Sequence, residues 1–123
     1  MRVWLLIAAL NGFAAVASGA FAAHGLQGRL DPHALGVFET GARYHMYHAL
    51  AIAVASFAIR DAAAGAATVA SSFFLAGILL FSGSLYLLAL TGNKVFAFVT
   101  PVGGVCFLIG WAALALAALR LKV

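Results

Sequence analysis

The sequence predicts an all-α polytopic membrane protein, four transmembrane helices in an up-down-up-down bundle with an extended start to the second helix. Three observations carry this. Of 123 residues, 66% are hydrophobic and 8% charged, for a mean hydropathy of +1.12; so little charge does not cover the surface of a water-soluble domain. The apolar residues fall into long runs, each near the roughly 20 residues a helix needs to cross a bilayer. Short polar stretches that hold most of the Lys and Arg separate those runs, which places the connections at membrane surfaces. One four-helix domain spanning 1–123 is expected, with helices about 3–24, 32–59, 62–90 and 101–119.

The first run follows Arg2 and ends in ASGAFAA. It resembles a signal peptide with a small-residue cleavage site, but its length is closer to a full span, and it reads as a retained first helix. Gly25, after His24, is expected to close it as the C-terminal cap. Gly12 and Gly19 lie seven apart with Ala8 and Ala15, a small-residue face suited to close helix packing.

Residues 25–30 form a polar connection, and Asp31-Pro32 is a start signal: Asp accepts from free N–H groups, and Pro at the first helical position has no N–H to lose. No further Pro occurs before Arg60, so one helix runs to residue 59, roughly 40 Å by helical rise against a ~30 Å hydrocarbon core. Its start therefore projects from the membrane or lies along it. Arg60-Asp61 turns the chain, and Asp61 is expected to cap the third helix, which carries Gly77 and Ser84 seven apart and closes at Thr91–Lys94. Thr100-Pro101 repeats the cap-plus-Pro signal. The fourth helix is placed from residue 101 to 119, with Gly103 and Gly110 seven apart and Arg120 and Lys122 beyond it. With four spans, Arg2, Arg60, Arg120 and Lys122 share one side and Arg29, Lys94 and Arg43 the other. The small excess puts both termini in the cytoplasm.

The second helix is where ionisable groups enter an apolar segment. Counting back from Arg60 at an interface, His48 lies about 18 Å deep, His45 about 22 Å and Arg43 about 25 Å by helical rise. Ionisable residues within a span mark candidate sites. Glu39 and Arg43, four apart, have ion-pair spacing; His45 and His48, three apart, share a face; Tyr44 reaches His48. Three arrangements follow. Asn11, Arg43, Tyr47, His48 and Ser82 form a polar pocket for a lipid, quinone or other small molecule. His24, His45 and His48, with Met46 or Glu39 available, form a metal or haem site. Or Arg43 snorkels to the headgroups while the tyrosines and histidines form an interfacial belt. The favoured expectation is that the Glu39–Arg43 pair and the Tyr47/His48 cluster organise the outward end of the bundle.

Other classes are disfavoured. The single Cys106 permits no intrachain disulfide or thiolate cluster and sits in an apolar run as an inert thiol. The net charge of +4 comes from scattered basic residues and suits anionic headgroups rather than nucleic acid. No nucleophile–base set, phosphate loop or acidic dyad is present; Asp31, Glu39 and Asp61 stand at helix starts, where capping and dipole effects account for them.

Four stretches, GAFAAHGL (19–26), FETGARYHMYHALA (38–51), LFSGSLYLLALTG (80–92) and TPVGG with its later GW (100–104, 110–111), resemble in order the transmembrane protein 256 / domain of unknown function 423 family of small four-helix membrane proteins. The resemblance covers essentially the whole chain. It implies a bacterial inner-membrane protein and no assigned activity, and it carries no functional residues over. It also implies Gln as the usual residue where His45 stands, which weakens a two-histidine mechanism. The expected function is a non-catalytic accessory or assembly component of a membrane complex, as a homo-oligomer or beside larger subunits, with no required cofactor. Arg43→Ala is expected to cost folding or assembly.

Overall fold

The computed structural model describes residues 1–122. They form four helices, with no strand among them beyond a single bridge between Gln27 and Leu30. Helix α1 runs Arg2–His24, α2 Pro32–Phe57, α3 Asp61–Thr91 and α4 Phe96–Arg120. Three of them, α1, α3 and α4, are long and apolar enough to cross a membrane; α2, with its Arg, His and Tyr residues, is not among these.

Large apolar side chains cover the outside as thoroughly as the inside: Phe13, Phe98 and Leu119 are each more than three-quarters exposed. A surface of this kind is matched to lipid rather than water. Between helices many of the contacts are made by small residues, as expected where lipid removes the hydrophobic drive for helices to associate, with a few large side chains such as Phe74 and Phe107 set among them. Helix α1 rests on α2 through Ala8, Ala15 and Ala22; α2 packs along α3, and α3 against α4. The central core joins Ala8, Ala51, Ile52, Ala55, Phe74 and Phe107, while Ala22, Leu26, Phe38 and Ala89 close the end where the α1–α2 and α3–α4 connections meet.

The helix ends show where sequence signals act. Asp31 caps α2, its carboxylate accepting from the Ala34 N–H at 2.8 Å with Pro32 following. Helix α2 stops at Phe57, two residues before the expected end. Gly25 is the C-terminal cap of α1, its N–H bonding the Phe21 carbonyl at 2.7 Å, but with φ −87°; the left-handed residue of this connection is Gly28, at +80°. Gly25 is needed for space instead, since a Cβ there would meet the Phe21 ring at 2.6 Å. Asp61 does not cap α3 through its side chain; it is the first residue of a 3₁₀ turn, Asp61–Ala63, and takes φ +48°.

Two larger departures lie in α3 and α4. Helix α3 is regular over Ala64–Gly77, opens into a π-helical segment at Ile78–Ser82, and is regular again over Gly83–Thr91 before Gly92 ends it at φ +70°. Helix α4 begins at Phe96, so Pro101 lies inside it. The start is set upstream, where the Asn93 carbonyl oxygen of the side chain accepts from the Val95 N–H at 3.1 Å. Pro101 is tolerated because only one turn precedes it, so the missing N–H deprives just the Ala97 carbonyl of a partner. Thr100 is accordingly not a cap. Its hydroxyl lies 3.2 Å from the Phe96 carbonyl and 2.6 Å from the Ser84 hydroxyl, tying α4 to α3.

Candidate functional site

The site is the polar side of α2 where it passes between its neighbours. His45 and His48 lie on the buried face with Gly41, Ala42, Ala49 and Ile52, whereas Arg43, Tyr44, Tyr47 and Leu50 face outward. Both imidazoles are almost fully buried, yet they face different neighbours.

His45 lies between α1 and α3. Its Nε2 is 3.0 Å from Asn11 Oδ1, and its Nδ1 is 3.0 Å from the Tyr86 hydroxyl. The Asn11 amide is oriented by its own bond, Nδ2–H donating to the Ile7 carbonyl at 2.9 Å. Asn11 therefore offers His45 an acceptor, so Nε2 carries a proton. In the neutral ring Nδ1 then accepts from Tyr86. The result is a relay across three helices, Tyr86 to His45 to Asn11 to the backbone of α1.

His48 faces α4 and has the opposite tautomer. The Trp111 indole N–H, which can only donate, reaches His48 Nε2 at 3.1 Å, and His48 Nδ1 lies 2.7 Å from the Tyr44 carbonyl, which can only accept. The proton is on Nδ1 and the ring is neutral. Phe107 stacks on it with centroids 3.5 Å apart and planes 7° from parallel, and Phe74 packs nearby at 5.6 Å. The imidazole thus lies in an aromatic cage.

The structure divides the expected five-residue pocket. Asn11 joins His45 rather than His48. Tyr47 is exposed and leans edge-on against Tyr44. Only Tyr47 and His48 share a cavity, a lipid-facing cleft of about 370 Å³ completed by Tyr44, Phe81, Phe107 and Trp111. Ser82 is fully buried, and its hydroxyl is the one buried side-chain polar atom among the described residues without a partner. Hydroxyls in regular helix, such as Ser71 and Thr91, bond the carbonyl four residues back; Ser82 instead ends the π segment, where the helix register changes and the Gly83 N–H bonds the Ile78 carbonyl five residues back.

Two further expectations are corrected. The Arg43 guanidinium reaches Thr40 Oγ1 at 3.4 Å rather than Glu39; Glu39 and Arg43 both line a groove of about 430 Å³ between α1 and α2, with Gly19 and Met46. His24, His45 and His48 do not converge, and no group of three His, Cys, Asp or Glu among the described residues is placed to hold a metal ion. Both ring nitrogens of His45 and of His48 are already engaged in internal bonds.

Sequence reasoning missed Tyr86 and Trp111. The signal was present: a Tyr or Trp in an apolar span needs a partner for its polar tip, and the buried histidines need partners too.

Residues 18–104 match the family described as protein of unknown function DUF423. The chain belongs to this family. It is 44% identical over 121 residues to the UPF0382 membrane protein YwdK of Bacillus subtilis, covering 98% of each chain. It is 48% identical over 120 residues to a UPF0382 membrane protein of Haemophilus influenzae, covering 97% of this chain and 95% of the relative. It is 45% identical over 121 residues to the UPF0382 inner membrane protein YgdD of Escherichia coli K12, covering 98% of this chain and 92% of the relative. No solved structure matches. The chain is thus a helical membrane protein of the DUF423 family, with its two buried histidines on α2.

Proposed function

We propose that this DUF423 protein is a non-catalytic accessory component of an inner-membrane assembly, and that it seats a transmembrane helix of a neighbouring chain, another copy or a larger subunit, in the furrow between α1 and α2. The observation that carries this is how α1 uses its small residues. Ala8, Ala15 and Ala22 are buried against α2, but at Gly12 and Gly19 an added Cβ would meet nothing within 4 Å. The two glycines line adjoining grooves, with Met46 common to both. A furrow floored by glycine lets a second helix backbone approach closely, and Glu39 and Arg43 at its outward end would fix which helix enters. The histidines fit this reading, because their bonds hold α1, α2, α3 and α4 together.

Four crossings, with both termini on the cytoplasmic side, belong to the same proposal. The 25–31 and 92–95 connections line one cavity, which supports α2 traversing the bilayer between two spanning helices. The E. coli relative's description as an inner membrane protein supports the location.

The test fills the furrow. Gly12→Leu with Gly19→Leu should reduce the assembly seen after mild detergent extraction to a single chain, with unfolding of that chain unchanged. An assembly of unaltered size, or a wild-type protein extracted as a lone chain with no partner, overturns the reading.

A second reading rests on the aromatic cleft. Tyr47 and His48 there could receive a flat ring such as a quinone between Tyr44 and Trp111. Titration with a short-chain quinone should then quench Trp111 emission, and a Tyr47→Leu variant should lose the effect. Quenching identical in both proteins removes this reading.

A further inference from the structure

A cavity of about 420 Å³ lies at the end of the bundle where the two outward connections meet, and nothing in the α2 site or the α1–α2 furrow uses it. Arg29 and Lys94 line its mouth, with His33 and Asp31 beside them. Both cations stand on short ordered turns. Arg29 follows Gly28 at φ +80° and its N–H bonds the Leu26 carbonyl at 3.0 Å; Lys94 follows the Gly92 turn and precedes the bond from the Val95 N–H to the Asn93 side chain. The one carboxylate at the mouth is occupied as the α2 cap. Deeper in, the walls are apolar, formed by Val37, Leu88 and the buried Ala89.

We propose that this cavity binds an anionic phospholipid, its phosphate between Arg29 and Lys94 and the start of an acyl chain against Val37 and Leu88. Charge complementarity selects the occupant: two cations face one already engaged carboxylate, at the level where a chain ending α1 and α3 leaves the membrane. The apolar lower wall distinguishes a lipid from a soluble anion, which would gain nothing from it. Arginine and lysine also divide the task, the planar guanidinium pairing with two phosphate oxygens and the ammonium supplying a compact charge. The proposal is independent of the furrow, which lies between α1 and α2.

The experiment is native mass spectrometry of the full chain released from vesicles of phosphatidylglycerol and phosphatidylcholine in equal amounts. Wild type should retain phosphatidylglycerol in preference to phosphatidylcholine. The Arg29→Gln, Lys94→Gln double variant should lose roughly thirty-fold in phosphatidylglycerol affinity, as expected for two interfacial charges. Arg120→Gln with Lys122→Gln removes equal charge at the opposite end and should leave retention unchanged. Equal retention of both lipids by wild type overturns the proposal without reference to any variant. So does an equal loss in the Arg120/Lys122 control, which would mean nonspecific charge attraction. Displacement of the lipid by millimolar inorganic phosphate would assign the site to a soluble anion and overturn it as well.

Discussion

At the scale of single residues, the two histidines of α2 stand three positions apart in opposite tautomers, and each tautomer is fixed by a neighbour with no choice of role. Trp111 can only donate, so His48 must accept at Nε2. In Trp111→Phe the cage keeps its aromatic volume but loses the donor, leaving Nε2 buried without a partner. We expect a loss of about 1–2 kcal/mol in reversible unfolding from detergent into SDS; wild-type stability would show that the bond contributes nothing to the fold. His45 makes a finer comparison. Glutamine can supply both roles of the neutral imidazole, its NH2 donating to Asn11 and its carbonyl oxygen accepting from Tyr86, so His45→Gln should remain within about 1 kcal/mol of wild type, whereas His45→Leu strands both Asn11 and Tyr86 and should cost roughly 1–3 kcal/mol. Equal stability of the two variants would mean the relay is dispensable. Arg43 needs a different forecast from the one its sequence position invites. It is exposed with one long bond to Thr40, so Arg43→Ala should leave folding intact, and any effect should show in assembly.

At the scale of elements, the α3–α4 pair is fastened by glycine. A Cβ on Gly103 would run into the backbone of Leu80 and Phe81 in the π segment, and one on Gly110 would meet the Phe74 ring at 2.6 Å. The π turn and Gly103 therefore form one device: the widened turn brings backbone forward, and only glycine leaves room for it. Gly103→Ala should cost about 1–3 kcal/mol, as overpacking does, while Gly12→Ala, which meets nothing, should be neutral; a reversed order would contradict this packing. These elements also show what was legible. The four-helix class, the Asp31-Pro32 start of α2 and the small-residue packing of α3 on α4 through Gly77, Gly103 and Gly110 could be read, because capping chemistry and apolar length act locally; on α1 the expected glycine face is open, and the alanines Ala8, Ala15 and Ala22 pack instead. The π segment could not, since it depends on how α3 meets Gly103 and Thr100 across a helix interface. The start of α4 was misplaced because Thr100-Pro101 has the local form of a cap, while the actual start is set by Asn93. The candidate site was half legible: the residues on α2 were identified, but their partners, Tyr86 and Trp111, are 41 and 63 positions away and looked like ordinary aromatics.

At the scale of the whole molecule, the open question is whether α2 crosses the bilayer. By length and apolarity only α1, α3 and α4 are candidates, and three crossings would put the termini on opposite sides. The packing argues for four. Arg29, at the end of α1, and Lys94, just past the end of α3, line the same cavity, so those two helices end on the same side. In the four-crossing arrangement proposed above, α3 begins on the far side and α2 carries the chain the whole way back. Its buried polar groups do not oppose this, because His45 and His48 are shielded by α1, α3 and α4 and their bonds are satisfied within the bundle, while the exposed Glu39 and Arg43 lie in the half of α2 nearer its start, where a long side chain reaches the headgroups. If, as proposed, both termini are cytoplasmic, a membrane-impermeant maleimide applied to intact spheroplasts should label Cys introduced at Gln27 and at Asn93 and should spare Cys introduced at Ala62, on a Cys106→Ala background. Labelling at Gln27 but not Asn93 would place the two connections on opposite faces and would be incompatible with the shared cavity. Labelling at Ala62 alone would keep the four crossings and invert their orientation.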